Sequence, residues 1–149
     1  ISDIINKLVT FEEPLVLEMF DSVKIYAAGF SGDNLSCNKL IRLMSKCSKD
    51  NIDNLDNYFN ERYQNIFNGE KVSGILVGED LVYELTEEGE KEEYPLDSKI
   101  TIGSGWLVGL SALRLGLTSC VAVRHAINMN VHCGGLISSW DHPKFKRGL

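Results

Sequence analysis

The stretch VSGILVGEDLVYEL, Val72–Leu85, decides the fold class. Two apolar runs flank Glu79-Asp80, residue types that suit a tight reversal, so the stretch predicts a β-hairpin. What lies on either side is helical and comes in pairs. Upstream, about residues 53–67 carry Leu55, Tyr58, Phe59, Ile66 and Phe67, an aromatic stripe that predicts a helix facing the core. Before it, about residues 34–47 place Leu35, Leu40, Ile41 and Met44 on one helical face, with Asp33 or Asn34 as the N-cap. Farther upstream, residues 13–28 read as two strands joined at Asp21-Ser22.

Downstream of the hairpin, TEEGEKEEYPLDS reads as a charged, solvated connection. Lys99–Ile102 is β-branched and predicts a short strand, and Gly103-Ser104-Gly105 turns it into a helix from Trp106 to about residue 115. Ser104 suits either the cap of that helix or a functional site. Thr118 caps a further helix over 119–129, residues 136–139 make a last strand, and 141–149 form a loose polar tail. Strands and paired helices come in blocks, without βαβ alternation. That order predicts an α+β fold of helices layered on antiparallel sheets rather than a doubly wound parallel sheet.

At 149 residues the chain reads as a single domain with room for a core, and its net charge of −6 with no sustained basic cluster argues against nucleic acid as a partner. No apolar run is long enough to cross a membrane. Cys37, Cys47, Cys120 and Cys133 form no CxxC pair, which predicts reduced thiols and a cytoplasmic setting. Cys120, His125, His132 and Cys133 match no standard zinc spacing, so neither metal nor cofactor is expected. His132 and Cys133 are neighbours on an extended stretch. They point to opposite faces there, which disfavours a cysteine hydrolase.

Three stretches, DSVKIYAAGFSGDN, GILVGEDLVYELTEEGE and ITIGSGWLVGLSALRLG, with CGGLI beyond them, give the chain a resemblance over about residues 13–139. It resembles the proteasome β-subunit and HslV peptidase family of N-terminal-nucleophile hydrolases. The resemblance implies a four-layer sandwich of two antiparallel sheets flanked by helix pairs, and subunits assembled into rings. It implies that Ser104 matches the serine beside the catalytic threonine. It also implies that Gly29 matches the glycine whose N–H binds the oxyanion.

The chain departs from the family at the positions that carry charge. No threonine stands where the nucleophile and its own α-amino base are needed, since the sequence opens Ile1-Ser2-Asp3. Thr10 lies too close to the Ala27-Ala28-Gly29 turn to leave room for the first two strands. The family lysine falls at Leu15, and its aspartate and serine before the GG pair fall at Asn130 and Cys133. The expectation is a non-catalytic proteasome/HslV-like subunit or binding protein, forming a homo-oligomeric ring or joining related subunits, and holding a peptide or protein ligand. The alternatives are a threonine peptidase whose first strands lie outside this sequence, and an unrelated α+β binding domain.

Overall fold

The structure, a computed structural model, describes residues 8–67, 71–129 and 140–145. Among the described residues, five strands form one antiparallel sheet in sequence order: β1 (Leu8–Val16), β2 (Lys24–Gly32), β3 (Val72–Gly78), β4 (Leu81–Leu85) and β5 (Lys91–Pro95). Between β2 and β3 run α1 (Asn34–Lys49) and α2 (Leu55–Phe67), and after β5 come α3 (Trp106–Arg114) and α4 (Ser119–Met129). The α+β class and the antiparallel pairing are as the blocks imply.

The hairpin is the cleanest element. Along β3, buried and half-buried residues alternate strictly, and Leu76 pairs with Tyr83 across the turn. In β2 the alternation changes phase. The register shifts between Ile25 and Ala27, so the core side holds Ile25, Ala28 and Phe30 and not a strict every-second residue.

The core lies between that face and the first helix pair. From α1, Cys37, Leu40, Met44 and Cys47 point inward, whereas Leu35 is 64% exposed, contrary to the stripe read from the sequence. A 3-10 turn at Glu18–Phe20 between β1 and β2 inserts Phe20 among Phe59, Tyr63 and Tyr83, with ring centroids 5.9–6.5 Å from it. The aromatic stripe of α2 is therefore core. Asp33 caps α1, its carboxylate accepting from the Ser36 N–H at 2.9 Å and the Ser36 hydroxyl at 3.0 Å.

Two expectations need correction. The charged connection contains β5, held by register with β4 from Leu81↔Pro95 to Leu85↔Lys91 and not by any apolar pattern of its own. Lys99–Ile102 is not a strand. The Thr101 hydroxyl instead donates to the Trp106 carbonyl at 2.6 Å, tying the segment to the start of α3. The two strands read over 13–28, with their turn at Asp21-Ser22, are present with wider bounds: β1 starts at Leu8 and β2 runs on to Gly32.

Residues 136–139 lie outside the described residues. Of the tail, the described part is docked: the His142 Nε2–H donates to the Gly78 carbonyl at 2.8 Å, and Nδ1 accepts from the Lys144 N–H at 3.0 Å. A carbonyl only accepts and a backbone N–H only donates, so these bonds select the neutral Nε2–H tautomer. Lys144 also meets Asp80 at 2.8 Å, which holds the ammonium pKa above its ordinary value.

Candidate functional site

The two glycine-bearing turns singled out in the sequence meet at one cavity. β2 ends at Gly32 with φ +127°, where an added Cβ would collide with the Lys71 carbonyl oxygen, so only glycine lets the chain leave the sheet there. At Gly103, with φ +94°, an added Cβ would lie 2.9 Å from the Ser31 hydroxyl. The turn before α3 thus packs its backbone directly onto the end of β2.

The cavity between them has a volume of about 440 Å3. Ser31 and Ser73 are register partners on β2 and β3, and their side chains share the sheet face opposite Phe30 and the core. Thr101, Ser104 and Trp106 close it from the α3 side, and Lys71, Glu84 and Glu87 supply its charges. The Lys71 ammonium stands 3.6 Å from the Glu87 carboxylate, both well exposed, so this pair contributes little to stability. Hydroxyls, one ammonium and two carboxylates around a half-exposed tryptophan give the cavity a polar lining.

Of the positions matched to the family, Ser104 lines this cavity. It is not the helix cap: Gly105 holds the N-cap of α3, with no side-chain hydrogen bond. Gly29 sits two residues before Ser31 on the same face, inside the ladder between Leu8 and Ile75 rather than in a turn. Asn130 and Cys133 lie outside the described residues, as does His132. Leu15 is 1% exposed, packed in the core among Phe11, Leu17 and Phe20.

A serine nucleophile needs a base within hydrogen-bond reach. The described histidines do not line the cavity: His125 is exposed on α4, and both ring nitrogens of His142 are engaged elsewhere. Cys37 and Cys47 are buried in the core, and desolvation pushes the Cys47 thiol up to about 11, far from a reactive thiolate. Cys120, half-buried on α4, is the remaining described cysteine.

Sequence reading missed Ser31, Ser73, Lys71 and Glu84. Ser31 alone had a local signal, since it stands in the GFSGD string that carries Gly32.

A second charged cluster lies outside the cavity. Asp21, in left-handed conformation with φ 57°, accepts from the Lys91 ammonium and the Tyr83 hydroxyl, each at 2.8 Å. These bonds, Lys91 first, hold the Asp21 carboxyl down at about 2, and burial with the Asp21 charge pushes the Tyr83 phenol up. The cluster pins the turn before β2 to β4 and β5.

Comparison of the chain with models of known protein families gives no match, and no curated protein matches it significantly.

Proposed function

We propose that the chain is the body of a proteasome/HslV-like subunit that serves in assembly or binding and does not hydrolyse peptides. The observation that carries this is Leu15. The resemblance calls for a lysine there, and in this molecule the position is filled by a 1%-exposed leucine surrounded by apolar side chains. An ammonium at such a site loses its hydration without a partner charge. The position that the resemblance gives to the cation therefore supplies no charge to depress the proton affinity of a threonine amine.

The architecture supports the same reading. One sheet face is covered by the first helix pair, whereas α3 and α4 pack chiefly on each other. On this reading, the sheet with α1 and α2 makes two layers of a four-layer sandwich, and α3 and α4 belong to another. In this proposal the subunit works in the cytoplasm as part of a homo-oligomeric ring or with related subunits. The hydroxyl-lined cavity at Ser104 then holds a peptide or protein segment.

A second reading, a threonine peptidase, is favoured by one specific observation. Ser104, the residue matched to the family's threonine-assisting serine, does line a cavity, and Gly103 beside it touches the end of β2. Fluorogenic peptides and an epoxyketone probe, which reacts with a terminal threonine, separate the two. The proposal expects neither turnover nor labelling of the native protein. Covalent labelling, or turnover that Ser104→Ala abolishes, selects the peptidase, and the intact mass of the labelled protein then gives the mass of the chain whose first residue is the threonine.

A further inference from the structure

The second helix pair is packed inside out. Its buried residues are Gly109, Ala112, Ala122 and Ala126, while Trp106 is 50% and Leu115 82% exposed, with Leu107 and Met129 also in solvent. Small residues let two helices approach, but the large apolar side chains that would normally be buried face outward. Soluble monomers rarely leave such patches uncovered.

Charge is distributed just as unevenly. From residue 99 to 129 the chain has Lys99, Arg114 and Arg124 and not one carboxylate. From 79 to 97 it has nine carboxylates against the single cation Lys91. These belong to the β4–β5 ribbon and its flanking turns, where Tyr94 and Leu96 stay half-exposed and Pro95 exposed. One molecule thus carries an apolar cationic surface and an acidic ribbon with apolar residues at its border, and the two adjoin at the cavity that Trp106, Glu84 and Glu87 line.

We propose that the α3–α4 hairpin of one copy docks on the β4–β5 ribbon of a second copy. The two patches differ, so the contact is head to tail and each docked copy leaves one patch of each kind open. Such contacts close into a ring if the rotation allows and otherwise run on as a filament. The partner is another copy because the nine carboxylates of its ribbon complement Arg114 and Arg124, and the apolar residues at the ribbon's border complement the exposed Trp106 and Leu115. This deepens the assembly part of the function proposed above by naming the surfaces that meet.

The test uses two charge-reversed proteins, Arg114→Glu/Arg124→Glu and Glu88→Lys/Glu92→Lys, followed by sedimentation velocity at tens of micromolar. The native chain is expected to sediment as an oligomer of the 16.6 kDa unit. Each variant alone places like charges in contact and is expected to self-associate at least about a hundredfold more weakly. Mixing the two restores opposite charges at every contact, so the equimolar mixture is expected to reassemble, an outcome misfolded chains do not give. A native protein that stays monomeric overturns both this inference and the assembly reading. A native oligomer matched by both variants overturns this inference alone and leaves the assembly reading standing. Flotation of the native protein with phosphatidylserine vesicles, lost in Arg114→Glu/Arg124→Glu, overturns it in favour of lipid.

Discussion

The two helix pairs are made from comparable stretches of chain and end in opposite situations. In α1 the residues Leu40, Met44 and Cys47 face the sheet, while Lys39, Lys46 and Lys49 lie on the outer side or in solvent. In α3 and α4 the inward residues are alanines and a glycine, and the outer surface carries a tryptophan, leucines, valines and a methionine. Helical periodicity marks both pairs as amphipathic. It does not say which stripe is covered. That depends on whether a complementary surface exists within the same copy, and for α1 and α2 the sheet provides it.

The largest expected effect breaks the comparison at its strongest point. Phe20→Ala removes the ring at the centre of the Phe59–Tyr63–Tyr83 cluster and should cost about 3–5 kcal/mol in urea unfolding. Leu115→Ala, at 82% exposure, should stay within about 0.5 kcal/mol under conditions where the chain is monomeric. Comparable losses in the two would mean that the hairpin is packed as tightly as the core, which would erase the contrast.

Gly32→Ala acts at the joint between the two regions. The left-handed φ and the collision with the Lys71 carbonyl should make it cost about 2 kcal/mol or more, read from the same denaturation curves. A neutral outcome would mean that β2 does not leave the sheet at Gly32, and the cavity walls would then be misassigned.

The smallest effect is in pH. The Asp21 carboxyl is held at about 2 in the folded chain against an ordinary value of 3.8. A depressed folded pKa stabilises fully above the unfolded value, and the contribution is lost as pH falls toward the folded one. Asp21→Asn should therefore lower Tm modestly at pH 6, with the gap to the native chain closing between about pH 4 and pH 2. A gap unchanged at pH 2 would show that the Lys91 and Tyr83 contacts do not depend on the charge.

What could be read in advance follows from how local each cause is. The β3–β4 hairpin and α1 were legible because alternation, turn residues and the Asp33 cap act over a few neighbouring residues. Two misreadings have a common origin. Lys91–Pro95 is a strand because β4 offers it hydrogen bonds, and Ile100–Ile102 is not a strand because no described strand pairs with it. β-propensity does not determine either. The same limit applies to the site. Ser104 stood out for its flanking glycines, but Ser31 and Ser73 join it only through a cross-strand register that no single stretch of sequence encodes.

The borders of the sheet constrain how copies of this molecule can meet. Along β1 the register jumps from Thr10↔Ala27 to Leu15↔Ile25, so residues including Pro14 loop out of line. At the opposite border β5 is five residues long, carries Glu92 and Glu93, and ends in Pro95. A strand added from another chain needs a straight run of open N–H and C=O groups. One border is bent and the other is charged and short. Growth by sheet continuation, the route to fibrils, is therefore opposed at both ends. The protection is unequal, however. The bend in β1 is built into the backbone, whereas the defence of β5 rests largely on charge, so salt that screens its glutamates should make β5 the first border to aggregate.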